Sequence, residues 1–119
     1  MGNLFWKRVY EPVTQDDGFR ILIDRLWPRG LNKEKADIDY WAKSITPSQE
    51  LRQKYHKGEL GFEIFAKKYE DELNSNHNIL DFKLKIAELL QKGNVTLVYA
   101  SKTPEISHIP ILKNKLELP

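Results

Sequence analysis

Three observations predict an α/β fold, in which a small, mostly parallel sheet is flanked by helices in a generally Rossmann-like layout. Two amphipathic segments with helical periodicity occupy the middle of the chain. Strand-like segments stand on either side of them. The run Val95–Ala100 is short, apolar and β-branched, as expected of a strand buried on both faces at the centre of a sheet. At 119 residues the chain has the length of one domain, so the whole of 1–119 is read as a single core.

Residues 4–10, LFWKRVY, are rich in aromatic and β-branched side chains and end at Glu11-Pro12, which predicts a first strand. The following EPVTQDDG is too short for a helical crossover, so a hairpin to the next strand is expected. That second strand begins at Phe19, where Phe19, Ile21 and Ile23 alternate with Arg20 and Leu22, and it stops by Pro28-Arg29-Gly30. LNKEKADIDYWAKSI has an apolar cluster but no period, and reads as irregular or briefly helical. Thr46-Pro47-Ser48-Gln49 fits a capping box with Thr46 as N-cap and Pro47 in the first turn, which predicts a helix ending near Gly58.

Phe62, Phe65, Ala66, Tyr69 and Leu73 then fall on one face of a helix whose other face is charged. Ile79, Phe82, Ile86, Leu89 and Leu90 repeat the pattern until Gly93 supplies a stop. The Val95 strand follows and leaves through Thr103-Pro104. Ser107 is placed as the cap of a last helix reaching Leu116, with Pro110 in its first turn.

Composition narrows the chemistry. The chain has no cysteine, which excludes disulfide scaffolds, thiolate metal sites and cysteine nucleophiles. The three histidines have no ligand-like spacing, so no metal site is expected, and no Gly-rich loop follows a strand to cradle a dinucleotide cofactor. Net charge is only +2, and no run of Lys or Arg demands nucleic-acid binding. With neither an apolar leader nor a membrane-length apolar run, a soluble cytoplasmic protein is the simplest expectation.

Polar residues directly follow the two most buried strands: Asp24-Arg25-Leu26-Trp27-Pro28-Arg29-Gly30 and Ser101-Lys102-Thr103-Pro104-Glu105-Ile106-Ser107-His108. In open α/β sheets ligands bind beyond the carboxyl ends of the strands. If these two strands are parallel neighbours, Arg25, Arg29, Lys102 and His108 converge on one pocket suited to an anion. Arginine supplies a rigid fork for phosphate or carboxylate, lysine a mobile point charge, and the last helix a positive end.

Trp27, Gly30 and Ser107 join the candidate binding residues. Arg8 joins them too, since strand alternation points Lys7 and Arg8 to opposite faces and admits at most one. Asp24, His108 and His56 are the candidate acid–base groups, although for His56 the simpler reading, a helix-end histidine favoured by the dipole, is preferred. The competing structural account makes Asp24 and Arg25 an ion pair, Trp27 a core residue and Pro28-Arg29-Gly30 a plain turn. A hydrolase triad of Ser101 or Ser107 with His108 and Asp24 lacks the G-x-S-x-G elbow that would support it.

RVYEP, the unbroken DGFRILIDRLWPRG block, FEIFAKKYEDEL and VTLVYASKTPEISH closely resemble the YeaO-like family of uncharacterised bacterial proteins, the domain of unknown function 488. The resemblance covers nearly the whole chain. Relatives typically carry an Ala-Lys-Asp-like turn and an Asn-His pair after the last strand. Lys102 and His108 match that pattern, whereas Thr103 replaces the Asp and Ser107 the Asn. The resemblance implies no known reaction, and a methyltransferase label carried by some members finds no adenosylmethionine cradle here. The expected partner is an anionic small molecule or nucleotide. A non-enzymatic module for nucleic acid or protein is the alternative.

Overall fold

The computed structural model describes residues 1–117. Four strands, β1 (Leu4–Arg8), β2 (Phe19–Leu22), β3 (Tyr40–Trp41) and β4 (Val95–Tyr99), form one parallel sheet in the order β1-β4-β2-β3. The helices are α1 (Lys33–Ala36), α2 (Gln49–His56), α3 (Phe62–Asn74), α4 (Asn78–Lys92) and α5 (Ile109–Leu116). As its composition predicts, β4 is interior, with Leu97 facing Trp6 on one side and Ile21 on the other.

The two faces of the sheet are unequal. Ile21, Ile23, Val95 and Leu97 point into the main core, where they meet Leu51 of α2, Phe65, Tyr69 and Leu73 of α3, Phe82 and Ile86 of α4, and Leu112 of α5. The opposite face carries a smaller cluster, Val9, Leu22 and Val98, covered by Trp27, Leu31, Ile38 and Trp41.

The expected hairpin does not form. β1 and β2 are parallel and both pair with β4, so residues 9–18 carry the chain across the second face of the sheet without a helix. Polar anchors replace the helix. Asp17, in a short 3-10 turn, receives hydrogen bonds from Lys7 Nζ (2.9 Å) and Arg20 Nη1 (2.6 Å), while the Thr96 hydroxyl of β4 donates to the Asp17 carbonyl (2.7 Å). Arg20, one residue into β2, is 1% exposed. Its remaining donors reach the carbonyls of Asp37 (3.0 Å) and Ala36 (2.9 Å) at the end of α1.

Two caps move from their expected positions. Ser48, rather than Thr46, caps α2: its hydroxyl accepts from the Leu51 N–H, and Glu72 of α3 accepts from both the Ser48 N–H and the hydroxyl. Thr46 instead turns its hydroxyl back to the Lys43 carbonyl. The last helix starts at Ile109, and the Ser107 hydroxyl still serves it by accepting from the Ile109 N–H (3.1 Å). The segment read as irregular contains the edge strand β3, whose pairing with Ile21 and Leu22 is a tertiary choice that a two-residue strand cannot announce.

Burial pushes the Asp17 carboxyl up, but hydrogen bonds from Lys7, Thr14 and Arg20 outweigh it and hold the group below its ordinary value. A carboxyl lowered in the folded state stabilises above its unfolded value of about 4 and loses that contribution as pH falls through the folded value. The advantage of the wild type over Asp17→Asn, followed by urea unfolding, is therefore expected to shrink below about pH 4. Arg20→Met leaves Asp17 buried with only part of its compensation and is expected to cost about 3–5 kcal/mol.

A Cβ at Gly18 (φ +63°) would lie 2.1 Å from the Asn94 carbonyl oxygen, whereas one at Gly30 (φ +81°) meets nothing within 4 Å. Gly18→Ala should thus lower the thermal midpoint clearly more than Gly30→Ala, for which only the backbone conformation costs, about 1 kcal/mol.

Candidate functional site

A cleft of about 640 Å³ opens beyond the carboxyl ends of β2 and β4. Adjacent parallel strands end there together, so the loops after them, residues 24–30 and 100–108, form facing walls. Helix α2 closes a third side through Arg52, Tyr55 and His56, and Tyr10, just after β1, stands at the rim.

Asp24 and His108 meet where the two loops leave the sheet. One Asp24 oxygen accepts from the Ala100 N–H (2.8 Å), and the other lies 3.3 Å from His108 Nε2. The same nitrogen is 2.6 Å from the Ile23 carbonyl. Both neighbours of Nε2 are acceptors, so Nε2 carries the proton and in the neutral ring Nδ1 holds the lone pair. Tyr69 packs its ring edge-on to His108, with centroids 6.2 Å apart, and donates its hydroxyl to the Ile45 carbonyl (2.7 Å). Burial, reinforced by the charges of Glu72 and Asp24, pushes that hydroxyl far above its ordinary value, so it remains a donor.

Charge in the cleft is one-sided. Among the described residues its lining includes three arginines, Arg25, Arg29 and Arg52, against one acidic residue, Asp24, whose two oxygens are already engaged. Arg25 is fixed through Nε to the Pro47 carbonyl (2.8 Å), which leaves its terminal nitrogens as donors. Arg29 occupies the second position of a turn in which the Leu31 N–H approaches the Pro28 carbonyl (3.4 Å), and the left-handed conformation of Gly30 completes it.

Of the residues singled out by sequence, the structure brings Asp24, Arg25, Trp27, Arg29, His56, Ser107 and His108 to this lining. Arg8, Gly30 and Lys102 lie outside it. Arg8 binds the carbonyls of Ala100 and Ser101, Gly30 shapes the turn behind Arg29, and Lys102 is exposed between lining neighbours. The suggested Asp24–Arg25 ion pair is absent among the described residues, since Asp24 engages His108 and Arg25 a backbone carbonyl. Trp27 combines both of its readings: it lines the cleft, yet stands edge-on to Trp41 over the smaller cluster.

The Ser107 hydroxyl donates to the Pro104 carbonyl (2.7 Å) rather than toward His108, so its proton is not placed for transfer to the imidazole. Arg52 and Tyr55 escaped the sequence reading. Arg52, Tyr55 and His56 stand at i, i+3 and i+4, a mixed basic and aromatic ridge on one face of a helix, and that spacing was the available signal.

The family model described as the inactive DUF488-N3 subclade matches residues 3–118. The chain belongs to that subclade. It is 40% identical to the uncharacterized protein YeaO of Escherichia coli strain K12 over 114 residues, 96% of each chain. It is 36% identical over 109 residues to the uncharacterized proteins Rv3073c of Mycobacterium tuberculosis and Mb3100c of Mycobacterium bovis, covering 92% of this chain and 89% of theirs. No solved structure matches it significantly. For this DUF488-N3 chain the α/β fold and the YeaO relationship inferred from sequence both hold. No helix among its described residues is long and apolar enough to cross a membrane.

Asp24 thus has a measurable bracing role. Asp24→Ala leaves the Ala100 N–H and one interaction of His108 Nε2 without a carboxylate, at about 1–3 kcal/mol for an unsatisfied buried donor. Asp24→Asn retains one acceptor oxygen, enough for one of these two N–H groups, and should recover only part of this loss in thermal unfolding.

Proposed function

We propose that this protein binds a phosphate-bearing small molecule in the cleft at the ends of β2 and β4 and holds it without turnover. The observation that carries this reading is the excess of lining arginines, Arg25, Arg29 and Arg52, over a single acidic residue whose carboxylate oxygens are both engaged. Guanidinium forks match the oxygens of a phosphate, and a concave site lowers the solvent screening that weakens such pairs at an open surface. Description of the subclade as inactive favours binding over catalysis, as do Asp24 and His108 in backbone-bracing bonds and Ser107 in a turn.

Thermal unfolding against a panel of phosphorylated metabolites tests the reading, since a ligand at a hundred times its Kd adds about 2.7 kcal/mol to the stability of the folded state. A stabilising phosphate compound should lose about tenfold in affinity in Arg29→Ala and in Arg52→Ala, as for one charge-assisted hydrogen bond. Equal shifts in wild type and both variants would remove the basis for the site. Salt distinguishes the nucleic-acid alternative, for which binding must fall steeply with ionic strength through counterion release.

A further inference from the structure

Tyr10 is unusual among the exposed aromatic residues. It is 42% exposed, yet it is held at two points. The Arg8 guanidinium lies over its ring, 5.1 Å from the centroid, and its hydroxyl donates to the Arg29 carbonyl (2.7 Å). Arg8 is itself fixed by three hydrogen bonds to the Ala100 and Ser101 carbonyls. The ring is thus clamped between the loop after β4 and the turn that presents Arg29, and it lines the cleft beside the cationic groups.

A tyrosine that only filled surface would have no need of restraint at both ends. A cation lies over this ring, and the residue is both partly exposed and part of the cleft lining. Flat ligands stack on such pre-ordered rings without an ordering cost, and any nucleobase has a face with which to do so. We infer that Tyr10 is a stacking platform for a nucleobase, so that the ligand is a nucleotide whose phosphate meets the arginines and whose base lies on the Tyr10 ring. This rests on the anion-binding reading and extends it by naming the ligand class.

AMP and ribose 5-phosphate share the same phosphate and sugar and differ by the base, so the ratio of their affinities isolates the platform. Isothermal titration should give AMP about tenfold tighter binding than ribose 5-phosphate in the wild type. Tyr10→Phe keeps the ring and should keep that ratio, even if both ligands weaken through loss of the hydroxyl bond to Arg29. Tyr10→Ala should bring the ratio toward one while ribose 5-phosphate remains bound. Equal wild-type affinities for the two ligands, or a ratio unchanged in Tyr10→Ala, overturns the platform and leaves the phosphate site standing. Absence of binding by AMP, ribose 5-phosphate and inorganic phosphate alike overturns both.

Discussion

The buried guanidinium of Arg20 holds together parts of the chain that the sheet alone does not join. It pairs with Asp17 at the approach to β2 and binds the last carbonyls of α1, while Asp17 also receives Lys7 from β1 and offers its carbonyl to Thr96 of β4. Three of the four strands therefore meet through one charged cluster on the thinly covered face of the sheet. Burial of an ion pair commonly returns little net stability, because desolvation cancels much of the attraction. What the cluster supplies is placement. A parallel β1–β2 connection without a crossover helix has few apolar contacts to fix its path, and the Asp17 bonds fix it.

The placement reaches the cleft through the strands. β2 and β4 are held in register at their amino ends by the Asp17–Thr96 contact and along their length by pairing, so their carboxyl ends emerge side by side. At that end Asp24, in the loop after β2, engages the Ala100 N–H and His108 at the two ends of the loop after β4, and His108 returns to the Ile23 carbonyl. Polar networks thus sit at both ends of the central strand pair with the apolar core between them. Rigid strand ends with loops tied across them are the arrangement that lets a cleft keep its shape before a ligand arrives.

Much of this order was legible in the sequence wherever it rests on a local pattern. The helices α3 and α4 follow directly from their apolar periodicity, and β4 from its β-branched composition. The pairing of polar loops after β2 and β4 was legible too, once both were read as strands of one sheet. What escaped were choices made by distant partners. Thr46 and Ser48 are equally good caps by type, and Glu72, far along the chain, selects Ser48. The alternation around Arg20 does not announce that its guanidinium is buried, and Asp17 with the end of α1 supplies the partners that make its burial possible. The hairpin expectation failed because a short connection can run parallel strands when ion pairs do the work of a helix. Lys102, grouped with the pocket from sequence, lies exposed outside the cleft lining between Ser101 and Thr103, a local loop path that composition does not encode.

The departures at Thr103 and Ser107 bear on what the cleft can do. Ser107 accepts from the Ile109 N–H and donates to Pro104, so it preserves the turn that carries His108 into the cleft. The Thr103 N–H is held by the Ser101 hydroxyl, which keeps the loop's path without a carboxylate at that position. Neither side chain supplies a negative charge or a strong base, whereas the Ser107 hydroxyl and the Thr103 N–H both take part in holding the path of the loop. Under the proposed anion-binding reading, the loop that bears these two residues is needed as a wall of the cleft rather than as a source of acid or base. On that reading a phosphate needs only the backbone path of this loop and the three lining arginines, and both are compatible with Thr103 and Ser107 at these positions.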